Sequence, residues 1–501
     1  MGSAAQDHPG DFYVEALIIG GGFGGTYALH NFRKNGIQAK LVEAGADFGG
    51  VWHWNRYPGA RVDSEFPFYQ LSIPEVYKTF DFSERFPSDA ELHGRTITCK
   101  YLVLCTGSSY KKNYPAFPGL KDYAGTLVHS AAYPEAGIDV KGKKVAVIGN
   151  GSTGVQIIQE LAKQDCSLTA YIRTPIMALP MHQRTITNRE QESLKSFYHI
   201  LLKAGRACKT GFPYGGPAKS FSETNDQERE AMFEELWARG GFSFFLSNFL
   251  EFIVDKDVNK CIYNFWAKKT RARVRDPQKR DIVAPSEQEH LFGVKRPSLE
   301  QDYYESIDRP NVELVNLKKT PIHKITEQGI MTDKLRAFDI IVLATGYDAM
   351  TGSLMDLQIK DKEGKPLREK WKDGVQTYLG MMIDGMPNMF MVYSPQAPTA
   401  LSNGPPVIEV QVDWAVRAMQ KMKSEKIKTI EPRTDFAVKW RKDIQDMNAK
   451  TLYPLENSWY MGANIPGKVR EQLMYIGGVD AYDAAISSAL DSFEGFDLEK
   501  Y

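Results

Sequence analysis

Three glycines, Gly20, Gly22 and Gly25, close an apolar, β-rich run and open a helix-like stretch in Tyr13 to Phe32 (YVEALIIGGGFGGTYALHNF). Their spacing is GxGxxG. In that pattern the first glycine makes a tight turn and the second lets backbone approach a pyrophosphate. The third lets the helix pack against the strand. The free N–H groups of the helix start then face the phosphates. Glu43 ends the next strand-like run, where a carboxylate can accept both hydroxyls of an adenosine ribose. A surface glutamate at a strand end would look the same alone; strand, loop, helix and acid together point to a dinucleotide. The position near the start of the chain favours FAD.

Gly149, Gly151 and Gly154 repeat the pattern in Lys144 to Leu161 (KVAVIGNGSTGVQIIQEL). Here no acid ends the following strand. Arg173 does, and a guanidinium suits a 2′-phosphate, so NADPH is expected over NADH. Ser152 and Thr153 within the loop and Thr174 beside Arg173 join the candidate set. A tightly held FAD with a diffusible NADPH implies that hydride enters the flavin from outside.

The chain has 501 residues, enough for two or three domains. The expected class is α/β, with two Rossmann-like dinucleotide-binding domains and a helical insertion. Residues 1–137 and 385–501 read as two parts of an FAD domain. Residues 138–384 read as an NADP domain with an insertion at about 184–288. Phe338 to Asp348 (FDIIVLATGYD) and the MFMVY run after Pro387 read as further strands. The apolar stretch Phe242 to Val254, interrupted by Ser247, Asn248 and Glu251, reads as one amphipathic helix on the core.

Lysine plus arginine and aspartate plus glutamate both number 62, which gives no global pull toward nucleic acid or an anionic membrane. Five scattered cysteines without a CxxC pair read as free thiols in a reducing compartment, so no metal site and a cytoplasmic location are expected. No run of about 18 apolar residues suggests a membrane span. The chain is expected to be a monomer or weak oligomer.

Gly49 to Glu65 reads GGVWHWNRYPGARVDSE; Lys295 to Pro297 reads KRP, Ala344 to Asp348 ATGYD, and Ser458 to Lys468 SWYMGANIPGK. With the two glycine loops, the chain resembles the Baeyer–Villiger monooxygenases, cyclohexanone-type enzymes in particular, from about Phe12 to Asp497. Flavin monooxygenases that oxidise amines and sulfides share only the glycine loops and the ATG turn. The resemblance implies insertion of one oxygen of O₂ beside a ketone carbonyl, giving an ester or lactone. It gives Arg296 and Asp63 the active site: the arginine stabilises developing negative charge and the aspartate fixes the guanidinium. From the residues alone, the two could equally be a structural ion pair or no pair. It gives Lys295 a contact to the NADP phosphate and Trp459 a place over the nicotinamide. Trp52 and Tyr57 fall in the flavin-side loop. The family's linker fingerprint, FxGxxxHxxxWP, is represented by Gly125, His129 and Pro134. Tyr123 and Tyr133 depart from it, the latter toward the amine-oxidising relatives. His129 is expected at a domain junction, not as an acid or base.

One departure is larger. Members of that family carry several tens of additional residues between Leu92 and His93, whereas FPSDAEL here runs directly into HGRTITCKYLVLCTG. The absent piece would hold a helix, the third parallel strand of the FAD sheet and part of a small antiparallel layer. Glu43 to Tyr101 contains no convincing strand-with-helix unit to replace it. Two rivals to ketone oxygenation follow: heteroatom oxygenation, and a flavin-less inactive homologue.

Overall fold

The computed structural model describes residues 12–78 and 97–501. Strand β1 (Phe12–Ile19) runs into helix α1 (Phe23–Lys34) through the first glycine loop. Strands β2 (Ala39–Val42) and β3 (Ile97–Leu104) pair with β1 on either side, both parallel. Ala16, Leu17 and Ile18 are all buried. Such an unbroken apolar run is what a parallel strand covered on both faces requires.

The second sheet is also parallel. It contains β4 (Thr126–His129), β5 (Lys143–Ile148), β6 (Cys166–Ile172), β7 (Val312–Asn316) and β8 (Ile340–Leu343), in the order β4-β8-β5-β6-β7. Helix α2 (Ser152–Leu161) follows β5 through the second glycine loop.

Between β6 and β7 lie α3 (Asn188–Lys195), α4 (Tyr198–Arg206), α5 (Asp226–Arg239), α6 (Lys256–Arg271) and α7 (Pro277–Val283). Helix α5 starts with a capping box, in which Asn225 and Glu228 each satisfy the other's backbone N–H. Arg206 at the end of α4 reaches Asp413 at 2.8 Å, and Asp413 also accepts from Asn31 of α1 at 2.9 Å. That junction ties the insertion to the first sheet's helices.

Phe242 to Val254 is not the single helix its periodicity suggests. It forms a short helix at Ser243–Leu246 and a 3₁₀ turn at Leu250–Ile253. Buried Asn248 breaks it: its amide donates to the Phe244 carbonyl and its oxygen accepts from the Phe249 N–H, so the side chain replaces the helical pairing.

Strand β9 (Met389–Met391) then returns to pair with β3, completing a first sheet of order β9-β3-β1-β2. Helix α8 (Gly404–Ser424) packs on α1, and α9 (Val479–Ser492) packs on α8. The junction of Leu92 and His93 lies outside the described residues. Among the described residues β2 is the edge of the first sheet, with no strand beyond it. No helix among them is long and apolar enough to cross a membrane.

Candidate active site

Both glycine loops open onto one cavity of about 1060 Å³. Gly20 and Gly22 line it from the first loop; Gly149 and Gly151, with Ser152 and Thr153, line it from the second. Gly25 and Gly154 do not line it. A Cβ on Gly25 would strike the Gly20 carbonyl, and one on Gly154 the Gly149 carbonyl. These two glycines therefore serve helix–strand packing, as the motif's third position should. At Gly151 the Cβ direction is open space, so backbone there can be approached from the cavity.

Glu43 lines the cavity just past β2. Its carboxylate accepts the backbone N–H of Gly21 on one oxygen and that of Gly45, at 2.9 Å, on the other. The side chain is thus fixed against the first loop. Arg173 and Thr174 line the cavity after β6, beside the second loop.

The loop Gly49 to Glu65 is tied to the first glycine loop through the Gly49 N–H, which donates to the Gly21 carbonyl, and to α2 through Tyr57. Trp52 donates from Nε1 to Tyr69 at 3.1 Å, and burial pushes the Tyr69 phenol up from its ordinary pKa. Tyr57 donates to Gln156 Oε1 at 2.9 Å. The Gln156 amide donates in turn to the Arg61 carbonyl at 3.1 Å. A buried glutamine on α2 therefore clamps the segment leading to Asp63. The sequence reading missed Gln156; its signal was an amide set among apolar neighbours on the helix after the second glycine loop, repeated three residues on at Gln159.

Asp63 and Arg296 both line the cavity, and Arg296 Nη2 donates to Asp63 Oδ1 at 2.7 Å. Burial alone would lower the guanidinium's pKa, but Asp63, Tyr460, Tyr393 and Tyr69 together outweigh it and the group is raised overall. It stays cationic, with its carbon 5.5 Å from the Phe242 ring centre.

Lys295 also lines the cavity, but its Nζ lies 3.4 Å from Glu456, a residue the sequence reading did not single out. Trp459 borders the cavity edge-on to Tyr460, ring centres 4.5 Å apart. The segment around it is pinned to the ATGYD turn. Asn464 donates to the Tyr347 carbonyl at 2.8 Å, and Lys468 pairs with Asp348 at 2.8 Å.

Gly125 and His129 are not cavity residues. His129 is buried at the end of β4, its Nε2 3.2 Å from the Gly346 carbonyl and its Nδ1 accepting from Ala131 N–H at 3.1 Å. At Gly125 a Cβ would collide with the Tyr123 ring and the Asp339 carbonyl.

The residues present fit two dinucleotides. Backbone at Gly151 is open, two cavity walls are glycine, and Ser458 Oγ and Asn464 Oδ1 are buried without a protein partner although both residues line the cavity. Two glycine-loop β–α units facing one cavity that holds an arginine–aspartate pair define a two-dinucleotide oxidoreductase.

Comparison with known proteins agrees. Residues 14–210 match the family described as Pyridine nucleotide-disulphide oxidoreductase. Cyclopentanone 1,2-monooxygenase of Comamonas sp. (strain NCIMB 9872) is 36% identical, over 97% of this chain and 96% of that protein. A Baeyer-Villiger monooxygenase of Pseudooceanicola batsensis is 31% identical, over 96% and 95%. The crystal structure of OTEMO in complex with FAD and NADP superposes with a TM-score of 0.91 at 30% identity, covering 97% of this chain and 99% of that one. The chain belongs to the Baeyer–Villiger monooxygenases. The match to the Comamonas enzyme spans 527 positions, more than the 501 residues available here, so that relative carries residues within the matched span that this chain does not.

Proposed function

We propose that this chain inserts one oxygen atom of O₂ beside a ketone carbonyl, using FAD and NADPH, to give an ester or lactone and water. The Arg296–Asp63 pair on the wall shared by both glycine loops is the observation that carries this reading. Gly20, Gly22 and Glu43 would hold FAD, with Trp52 and Tyr57 on its flavin side. Gly149, Gly151, Ser152, Thr153, Arg173, Thr174 and Lys295 would hold NADPH, with Trp459 at the nicotinamide end. Bound FAD, reduced by NADPH, supplies activated oxygen and two electrons.

The chain's own residues do the rest. The Arg296 guanidinium stabilises negative charge as the carbonyl carbon is attacked. Asp63 holds that guanidinium in one orientation, and Gln156 holds the loop that carries Asp63. Heteroatom oxygenation would not need a fixed guanidinium opposite a carbonyl, so the pair favours ketones. The reading places the enzyme in the cytoplasm as a monomer or weak oligomer; its five free cysteines support a reducing compartment.

The test begins with the absorption spectrum of the purified chain. A bound-flavin spectrum that NADPH bleaches, followed by ester formation from a panel of cyclic and linear ketones, is expected. A colourless protein that ignores added FAD would sink the reading. Turnover of sulfides without ketones would transfer the chain to heteroatom oxygenation.

A further inference from the structure

Glu456 stands three residues before Trp459 and beside Lys295, a cavity residue close enough to Arg173 for the two positive charges to interact. One carboxylate oxygen accepts the Leu291 backbone N–H at 3.1 Å. The other lies 3.4 Å from His290 Nδ1 and 3.4 Å from Lys295 Nζ. His290 in turn meets Lys318 at 2.9 Å, and Lys318 pairs with Glu289 at 2.6 Å. The carboxylate is only 12% exposed. Burial would raise it, but His290, the Leu291 amide and Lys295 together hold it down at about 2, so it is an anion. Burial lowers the Lys295 ammonium below its usual range, despite Glu456.

Resting on the reading of Arg173 and Lys295 as the phosphate-binding pair, we propose that Glu456 is a specificity-determining residue: it occupies Lys295 until a 2′-phosphate displaces it. It thereby sets how strongly the chain prefers 2′-phosphorylated nucleotides. The geometry supports an exchange. At 3.4 Å the Lys295–Glu456 contact is an ion pair longer than a charge-assisted hydrogen bond. The Leu291 N–H and His290 keep the carboxylate in place when the lysine leaves. A phosphate brings nearly two charges and three acceptor oxygens, so it outcompetes one carboxylate oxygen. The carboxylate remains close, however, and repels the phosphate it has yielded to.

The experiment is calorimetric titration of the purified protein with 2′,5′-ADP and with 5′-AMP, which requires no turnover. In the parent chain 2′,5′-ADP is expected to bind more tightly, and Lys295→Ala to narrow the difference to what Arg173 alone sustains. Glu456→Gln keeps an acceptor for the Leu291 N–H while removing the charge. It is expected to tighten 2′,5′-ADP by about five-fold and leave 5′-AMP unchanged, the size expected of a partly screened charge pair. In the Lys295→Ala background the gain from Glu456→Gln should fall well below five-fold. Glu456→Asp, which withdraws the charge by one methylene, should tighten binding less, and it serves if the glutamine variant does not fold. Unchanged or weakened 2′,5′-ADP binding in both variants, or a gain undiminished without Lys295, overturns the role of Glu456 alone. A parent chain that does not distinguish the two ligands overturns the phosphate reading itself, and this proposal with it.

Discussion

Asp63 and Arg296 are 233 positions apart in the chain and 2.7 Å apart at the cavity wall. One lies in the loop Gly49 to Glu65, the other just before the strand Ser298–Glu300. Neither could be aimed at the cavity by its own neighbours in sequence. Arg296→Ala should lower ester formation by about 10²–10³-fold, the usual effect of removing one fixed stabiliser of developing charge. Arg296→Lys should recover little, because an ammonium lacks the planar fork that Asp63 holds. Product analysis beside NADPH consumption checks this; an Arg296→Ala variant that still forms ester at the parent rate refutes the assignment.

The glycines separate into two kinds by what a methyl group would meet. Gly25→Ala and Gly154→Ala push a Cβ into a backbone carbonyl. Each should destabilise by at least about 2 kcal/mol, as overpacking does. Gly151→Ala adds its methyl to open space. It should leave the melting temperature nearly unchanged while weakening NADPH binding. Melting curves paired with nucleotide titrations distinguish the two patterns.

Gln156 satisfies buried Tyr57 and the Arg61 backbone at once. Gln156→Ala should destabilise by about 1–3 kcal/mol, because a buried phenol loses its acceptor. Catalysis should suffer more than FAD binding, since the loosened loop carries Asp63. Adding Tyr57→Phe should recover part of the stability by removing the stranded hydroxyl. A double variant no more stable than Gln156→Ala would show that the clamp acts otherwise.

Burial holds His129 neutral, with its pKa lowered to about 4 from an ordinary 6.5. The unfolded chain therefore binds this proton more readily between those values. Stability from this group is complete above about pH 6.5 and is lost as pH falls toward 4, by on the order of 2 kcal/mol. Urea denaturation across that window should show the slope, and His129→Gln should flatten it. An equal slope in both proteins would assign the acid sensitivity elsewhere.

Much of this was legible because it is local. GxGxxG spacing, an acid or an arginine at the next strand's end, and apolar runs are all written within a few tens of residues, and the strands and helices appear where those signals stand. What escaped notice depends on distant partners. Gln156 clamps a loop 95 positions earlier, and Glu456 meets Lys295 from a distant part of the chain. Asn248 shows a different limit: Phe242 to Val254 has helical periodicity, yet one buried amide found better partners in the backbone and broke the helix.

The first sheet is begun by β1 and closed by β9, with the whole second sheet encoded between them. On a ribosome adding ~5–20 residues per second, β3 must wait tens of seconds for its neighbour Met389–Met391. Helix α8, which covers α1, emerges later still. The second sheet has all its strands before then. The body that starts the chain is thus the last to be finished, and during synthesis its unpaired β3 edge is the surface most in need of protection from neighbouring nascent chains.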